Sequence, residues 1–300
     1  MKNWFPLLLL AGWLTLPTLL SAQEDTNKVH AEVIRLLKSL KYQQGEIDLH
    51  SGLAKLTVGK DFNYLSPDDT DTVLVKLWGN PPDKEKTLGM IIPKGLTPMS
   101  SNCWVVTIDY SEDGYVKDDD ASKINYDDLL KTMQKQIADS NAARRKEGYP
   151  GITLLGWATP PHYDAATHKL YWAKNLKFDG ETGNTLNYNI RMLGRRGVLE
   201  LNAIANTEQL PDIEAQATNI LAMIDFNEGH RYVDFDPKKG DKVAKYGIAA
   251  LVAGGVLAAG AKLGLFKLFW VGLIAAKKFI IIGLIACAGF IKKIFKRRES

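Results

Sequence analysis

The apolar residues of the chain follow two periods, and each period predicts a different kind of element. Polar and apolar residues alternate over 45–49 and 54–58, on either side of Ser51-Gly52, which predicts a β-hairpin. The same alternation returns in four segments after Pro150, and short polar turns separate them, as in an antiparallel meander. These four segments are residues 151–159, 168–176, 186–193 and 197–205. Two more strands are predicted near 87–92 and 103–110.

Apolar residues at helical spacing predict four helices, which cover residues 26–42, 66–78, 125–146 and 211–224. Ser66 and Asn125 stand where a side chain caps the first turn, and Gly148 follows the end of the third helix. Strands in runs, with helices before, between and after them, predict an α+β domain with a mainly antiparallel sheet and flanking helices. This element order is similar to that of a PsbP/Mog-type sandwich.

The two ends of the chain predict export and attachment to a membrane. Lys2 precedes an apolar core from Trp4 to Leu20, and the small residue Ala22 follows, as in a secretory signal of residues 1–22. The signal is either cut after Ala22 or kept as an anchor, and both outcomes place residues 23–240 outside the cytoplasm as an extracytoplasmic domain. Lipid is therefore the first expected partner.

Residues 241–300 are predicted to form the C-terminal membrane anchor. Tyr246–Phe266 is an apolar run of 21 residues with Lys262 as its only charge, and a helix of that length spans about 30 Å. Residues 268–298 are apolar as well, but they contain Lys277 and Lys278 and end in a basic cluster. One crossing followed by a basic amphipathic helix keeps that cluster in the cytoplasm and is favoured; a second membrane helix is the alternative.

The charge of the chain is divided between these parts. Residues 23–240 hold 26 basic and 32 acidic residues, a net charge of −6, whereas residues 241–300 hold 11 and 2, a net charge of +9. The basic overall balance thus belongs to the anchor, and nucleic acid is not expected as a partner, because that function needs a basic face on the folded domain. The predicted location is the bacterial inner membrane, with the domain on the periplasmic side.

Three groups of residues are candidates for chemistry. His162, Asp164 and His168 lie within seven residues. Asp164 begins the sequence Asp-Ala-Ala-Thr, in which an aspartate typically bonds its own backbone in a turn, so a turn is favoured over a metal or acid–base site. Asp118, Asp119 and Asp120 form an acidic loop without the spacing of a calcium loop, which favours a solvated loop or the approach to a helix over cation binding or docking to a basic partner.

The third group is Arg191, Arg195 and Arg196, the last two inside the predicted hairpin Gly194-Arg195-Arg196-Gly197. Arginine pairs with planar anions through two parallel hydrogen bonds, so an anionic ligand or a lipid headgroup is one interpretation. Ion pairs with Glu200 or with the acidic loop are the favoured one.

Sequence signatures of nucleophilic catalysis, of phosphate loops and of dinucleotide binding are missing, and no cofactor or metal is predicted. The favoured function is therefore a non-enzymatic interaction module with a membrane or envelope protein as its partner. The alternative is an envelope hydrolase or an enzyme that binds a small anionic ligand through His162, Asp164, Arg195 and Arg196.

Three longer motifs carry a family resemblance. They are Gly114–Ala121, Gly156–Ala173 with its Trp-Ala-Thr-Pro-Pro-His-Tyr-Asp core, and Leu186–Leu199 with Asn-Tyr-Asn-Ile-Arg-Met-Leu-Gly-Arg-Arg-Gly. Together they resemble the uncharacterised membrane-anchored bacterial family named domain of unknown function 2167. The resemblance implies an envelope protein with a C-terminal anchor and brings no known activity.

Overall fold

A computed structural model describes residues 16–80, 82 and 86–254 of the chain. These residues fall into two compact units: the first helix, α1 (Leu16–Ser39), belongs to one, and residues 40–254 belong to the other. The helix predicted over 26–42 therefore reaches further toward the N-terminus and ends three residues earlier than expected.

A seven-stranded antiparallel sheet forms the centre of the second unit. In spatial order its strands are β3 (Phe62–Leu65), β4 (Gly89–Pro93), β5 (Val105–Ser111), β10 (Val198–Asn206), β9 (Thr185–Leu193), β8 (Lys169–Phe178) and β7 (Ile152–Asp164). The last four of these are the predicted meander, which is confirmed. β3 was not predicted because four residues are too few to display a period.

One face of this sheet is covered by a smaller sheet and a helix. The smaller sheet consists of β1 (Gly45–Leu49), β2 (Ala54–Val58) and β11 (Ile224–Phe226), and the helix is α4 (Leu210–Met223). The predicted hairpin is confirmed, and its turn residues His50, Ser51 and Gly52 have positive φ angles of 51°, 54° and 87°. Leu56, Ile190 and Ile213 meet in the core between these layers.

The opposite face carries helices at its two ends. α3 (Tyr126–Lys146) and α5 (Ile248–Ala253) pack against the β7–β8 end, and α2 (Pro67–Asp71), continued by a π-helical turn over Thr72–Leu77, packs against β4. Both predicted caps are confirmed: the Asn125 Oδ1 atom accepts the backbone N–H groups of Asp127 and Asp128, and Ser66 Oγ accepts that of Asp69. On this face, the strands between the two groups of helices are β5, β10 and β9.

The first residues of the predicted membrane span fold with the domain instead. β12 (Val243–Gly247) pairs in parallel with β6 (Tyr115–Lys117), and α5 follows it directly. The prediction of a helix from Tyr246 is therefore wrong over its first residues: Asp120 caps α5 at Ile248, and Gly254, with a φ of 93°, ends it. The segment before β12 also packs on the domain, with Tyr232 in its core.

Within the described part of the chain, no helix combines the length and the apolar character needed to cross a membrane. Residues 255–266 of the predicted span, the segment 268–298 and residues 1–15 of the predicted signal lie outside the described residues. The α+β class with a mainly antiparallel sheet is confirmed, while membrane attachment stays a prediction from the sequence.

Candidate functional site

β9 carries a row of polar side chains that the fold buries. From Thr185 to Met192 its sequence alternates between polar residues at odd positions and apolar residues at even positions, which is the pattern of a strand with one face in water. All nine residues are nevertheless buried. The even-numbered side chains join the core beneath α4. The odd-numbered ones face the other side of the sheet, where burial of polar groups costs free energy unless partners are supplied.

Strand register extends this polar surface over four strands, because residues paired across strands share a face. Asn189 on β9 lies opposite Trp172 on β8 and Asn202 on β10, and Asn202 lies opposite Thr107 on β5. We call this surface the polar strip. It comprises Thr107, Trp172, Lys174, Asn187, Asn189, Arg191, Glu200 and Asn202. At a strand spacing of about 4.8 Å, four strands make the strip roughly 14 Å wide.

Arg191 is the best-connected side chain of the polar strip. Its Nη2 atom lies 3.1 Å from Glu200 Oε2, and its Nη1 atom donates to Asn202 Oδ1 at 3.0 Å and to the Ile190 carbonyl at 2.9 Å. The guanidinium carbon lies 5.1 Å from the centroid of the Trp172 ring, within the range of a cation–π contact. The predicted pairing of Arg191 with Glu200 is confirmed.

Four polar atoms of the strip have no hydrogen-bond partner among the described residues: Thr107 Oγ1, Trp172 Nε1, Asn187 Nδ2 and Asn202 Nδ2. Their residues are at most 2% exposed. A buried polar group without a partner costs about 1–3 kcal/mol, and native proteins contain few of them. Their concentration on one face of neighbouring strands makes the polar strip the candidate site of this domain.

Lys174 adds a cation at one corner of the polar strip, opposite Asn187. Burial lowers the pKa of its amine to about 8; the charge of Arg191 acts in the same direction, and Glu200 opposes them. No salt bridge joins Lys174 to any residue in the described ranges. The strip therefore presents a partly buried amine that forms no salt bridge with a described residue.

Arg195 and Arg196 lie outside the polar strip, at the predicted hairpin between β9 and β10. Arg195 Nε donates to Asp241 Oδ2 at 2.6 Å and Arg196 Nε to Asp241 Oδ1 at 2.7 Å, and the Asp241 side chain is fully buried. The backbone N–H of Asp236 also donates to this carboxylate. The expectation that these arginines pair with Glu200 or the acidic loop is wrong, because the chain after α4 returns to the hairpin and brings Asp241 with it.

The three acids of the predicted loop have three different environments. Asp118 accepts a 2.7 Å hydrogen bond from the Tyr163 hydroxyl and lies 3.6 Å from Nδ1 of His168. Asp119 is exposed, and Asp120 caps α5 through the N–H groups of Ile248 and Ala249. The interpretation as a loop that approaches a helix thus applies to Asp120, although the helix is α5 rather than α3.

Among the described residues, the fold brings together two predicted candidates from separate groups, His168 and Asp118. Burial, followed by the hydrogen bond to Asp118, raises the pKa of Tyr163, and the His168 ring lies 4.0 Å from the ring of Tyr232. This contact ties the β7–β8 turn to β6 and to the segment after α4. Its groups are mutually satisfied, which favours a structural role.

Asp164 forms the predicted turn. Its Oδ1 atom accepts the N–H of Ala166 at 2.9 Å and its Oδ2 atom accepts the Thr167 hydroxyl at 2.7 Å, and these bonds lower the pKa of the carboxyl group. His162 is exposed on β7. No hydrogen bond or ion pair between described residues joins His162 or Asp164 to Arg195 or Arg196, whose carboxylate partner is Asp241.

Comparison with known families decides what the chain is related to. The family model described as "Protein of unknown function (DUF2167)" matches residues 41–288. The chain belongs to the DUF2167 family. A comparison with the curated proteins finds no match.

Two solved structures resemble this DUF2167 chain weakly. The solution structure of cyanobacterial PsbP (CyanoP) from Synechocystis sp. PCC 6803 has a TM-score of 0.33 and 7% sequence identity, covering 63% of this chain and 93% of its own. PA94 from Pseudomonas aeruginosa, a protein of unknown function described as a putative regulator, has a TM-score of 0.22 and 10% identity, covering 61% and 93%. The expected likeness to the PsbP/Mog type is thus limited to a PsbP-like neighbour, and neither similarity bears on function.

Most of the polar strip in the DUF2167 domain was missed from the sequence. Of its residues, Arg191 alone stood among the candidates, since Asn187 and Asn189 occupy positions that alternation assigns to the solvent side of a strand. The available signal was the choice of side chains: two amides and an arginine on one face of a single strand are unusual where β-branched or hydroxyl residues are the common choice. That signal does not reveal the burial, which depends on the whole sheet.

A buried polar atom without a hydrogen-bond partner destabilises the fold, so removing such an atom should raise the free energy of unfolding. Thr107→Val keeps the shape of the side chain and deletes a buried hydroxyl without a described partner, so we expect the free energy of unfolding to rise by about 1 kcal/mol. Chemical denaturation of the purified full chain measures this change. Thr70→Val is the matched control: Thr70 is equally buried, but its hydroxyl donates to the Leu65 carbonyl, so stability should fall by about 1 kcal/mol. Equal losses in both variants would show that Thr107 has a hydrogen-bond partner after all.

Proposed function

We propose that this DUF2167 protein is a non-enzymatic binding module, held by its C-terminal segment at the periplasmic side of a bacterial inner membrane, with the polar strip as its binding surface. The observation that carries the binding function is the set of four buried polar atoms without described partners on one sheet face. The location is supported by the signal-like residues 1–22, the Gly/Ala-rich apolar residues after Ile248 and the basic C-terminus.

The composition of the polar strip favours binding over catalysis. Amides, an indole and a guanidinium orient a ligand through hydrogen bonds, but they are neither nucleophiles nor general bases. The one carboxylate of the strip, Glu200, is engaged by Arg191, which leaves Lys174 as the group that titrates near neutral pH. These side chains do not form a pair of a nucleophile and a general base. The proposed module therefore binds its ligand without catalysing a reaction on it.

Native mass spectrometry of the full chain, extracted from membranes in mild detergent, tests the binding function. We expect a bound molecule that is released on denaturation, and we expect it to be lost from the double variant Asn187→Leu/Asn202→Leu. Asn219→Leu, which changes an exposed residue of α4 in the same chemical way, should retain it. A wild-type protein without any bound molecule, or a double variant that retains it, contradicts the proposal.

Cysteine labelling tests the location and the number of crossings. Lys177→Cys places a thiol at an exposed position of β8, and Ser300→Cys places one at the end of the chain, both in a Cys287→Ser background. In intact spheroplasts, a maleimide that cannot cross membranes should label position 177 at once and position 300 only after lysis. Labelling of both positions without lysis indicates two crossings, and protection of position 177 contradicts export of the domain.

A further inference from the structure

We propose that the folded domain rests on the membrane through an exposed basic surface beside its C-terminal segment, where lysines contact the phosphates of anionic phospholipids. We call this surface the basic face; its members are Val233, Lys238, Lys239, Lys242, Val243 and Lys245. The inference rests on the proposed membrane location, and it is independent of what the polar strip binds.

The side chains of the basic face are accessible. All four lysines are exposed, and none of their amines forms a hydrogen bond or a salt bridge with a residue that the structure describes. Val233, 73% exposed, and Val243, 44% exposed, add aliphatic surface to the same segment. Amines and aliphatic groups side by side suit the layer of lipid headgroups, which offers phosphates to the former and the start of the acyl chains to the latter.

β12 directs part of the basic face away from the core. Val243 and Lys245 are exposed, whereas Ala244 between them is buried, as alternation along a strand requires. On the inward side of the strand, the Tyr246 hydroxyl donates to Asp113 Oδ2 at 2.6 Å. The backbone of β12 therefore lies between that acid and the outward-facing amine of Lys245.

Two contacts hold the rest of the basic face against the domain. The Tyr115 ring, on the strand that pairs with β12, stacks on the rings of Tyr232 at 4.3 Å and Phe235 at 4.1 Å. The buried Asp241 carboxylate is bound by the two arginines of the β9–β10 hairpin. The backbone that carries Val233 and the lysines is therefore part of the folded surface rather than a free tail.

The charge of the domain favours this orientation toward an anionic bilayer. Residues 23–240 have a net charge of −6, so such a bilayer repels most of the surface of the domain. Among the acids between residues 231 and 247, Asp234 and Asp241 are paired with arginines, and Asp236 caps the backbone N–H of Lys238. Four amines without a paired carboxylate remain, and they attract the bilayer to this face.

The course of the chain favours lipid over an acidic protein as the occupant. β12 leads directly into α5, α5 ends before Gly254, and the apolar residues of the predicted anchor continue from there. The basic face therefore lies close in the chain to the point where the anchor enters the bilayer. A tethered surface has a high effective concentration at the membrane, so four lysines suffice although they bind weakly on their own.

Fluorescence of the labelled full chain in lipid nanodiscs tests the docking. Val233→Cys in a Cys287→Ser background carries the environment-sensitive label NBD, while Cys103 is buried and stays unlabelled. In nanodiscs that contain phosphatidylglycerol, we expect the NBD emission to shift to shorter wavelength and to be quenched by lipids with a spin label near the headgroup. High salt should reverse both effects, and neutral phosphatidylcholine alone should produce neither.

Leu155→Cys in the same background is the matched control. Leu155 is also an exposed aliphatic residue, but it lies about 26 Å along β7 from Tyr163, at the end of the strand away from β6. Its label should emit at the same wavelength in both kinds of nanodisc. Equal responses at the two positions, or a label at position 233 that does not respond to phosphatidylglycerol, overturn the proposal.

Removal of charge tests the role of the lysines. Lys242→Gln/Lys245→Gln should lower the ratio of docked to undocked domain, measured by the quenching, about thirtyfold, because each lysine near an anionic surface adds to the attraction. Lys146→Gln/Lys177→Gln removes two exposed lysines from the far ends of α3 and β8 and should change the ratio less than about twofold. An unchanged ratio in the first variant overturns the assignment of the lysines to lipid.

The outcomes also separate this inference from the proposed function. Asn187→Leu/Asn202→Leu, which alters the polar strip alone, should dock as the wild type does. A chain that inserts into nanodiscs without docking overturns the basic face and leaves the membrane location intact, whereas a chain that does not insert overturns both. Shielding of position 233 in native membranes but not in nanodiscs of pure lipid indicates an acidic protein as the partner and overturns docking on lipid.

Discussion

Glu200→Leu is expected to lower the free energy of unfolding by about 3 kcal/mol, the largest loss that we predict for a single change in the polar strip. The substitution leaves the guanidinium group of Arg191, whose side chain is 3% exposed, without its carboxylate partner. A buried charge without a counter-charge is strongly destabilising, and the bonds of Arg191 to the Asn202 side chain and the Ile190 carbonyl replace only part of the lost interaction. Urea denaturation of the purified variant measures the loss.

The double variant Arg191→Met/Glu200→Leu is the control for this prediction. Because it removes both charges, it should recover most of the stability that Glu200→Leu loses, even though it contains one more substitution. If the effects of the two substitutions on the free energy of unfolding are additive, the ion pair does not account for the effect of Glu200→Leu. The loss of stability then has another origin, such as poor packing of the leucine.

Asp241→Asn is expected to lower the melting temperature by about 10 °C. The Asp241 carboxylate receives Arg195, Arg196 and the backbone N–H of Asp236, and so it fastens the segment after α4 to the β9–β10 hairpin. An asparagine keeps the size of the side chain but removes the charge that both guanidinium groups require. Differential scanning calorimetry of the full chain in detergent measures the change. Asp119→Asn, which neutralises an exposed acid of the neighbouring loop, should shift the melting temperature by less than about 2 °C.

The same carboxylate makes stability depend on pH in the acid range. Its hydrogen bonds to Arg195 hold the pKa of Asp241 well below the ordinary value, and Arg231 lowers that of Asp234 to about 2. Because both carboxyl groups have a lower pKa in the folded state than in the unfolded state, they stabilise the fold fully above about pH 4 and lose this effect as the pH falls below it. Asp241→Asn should therefore show a flatter decline in stability between pH 4 and pH 2 than the wild type. An identical slope in the two proteins shows that the carboxylate is not linked to folding.

The elements that were predicted correctly are those with local causes. The β1–β2 hairpin follows from alternation on both sides of Ser51-Gly52, and α3 begins at a capping Asn125 and is followed by Gly148 with a φ of 82°. The missed strands β3, β6 and β11 have three or four residues each, so they display no period and exist because of the neighbours with which they pair. The C-terminal boundary was wrong for a related reason, since Gly/Ala-rich residues after Tyr246 suit both a membrane helix and a helix packed on a protein core.

The candidate site shows the same division. Arg191 and Glu200 lie nine residues apart on strands joined by a tight hairpin, so their pairing was within reach of a sequence argument. Asp241 lies 45 residues beyond Arg196, and no local pattern relates the two. The polar strip was out of reach because its members come from four strands whose order in the sheet, β5-β10-β9-β8, is not their order along the chain.

The sequence by itself determined the α+β class, the four-stranded meander, the caps of the main helices, the turn at Asp164 and membership of a family without an assigned activity. Each of these depends on the identity and spacing of residues that are close in the chain. The tertiary structure alone decided that the polar face of β9 is buried, that Asp241 binds two arginines and that residues 243–253 belong to the domain. Those features depend on which distant segments come together, and burial of a strand face is a property of the layers packed on it rather than of the strand.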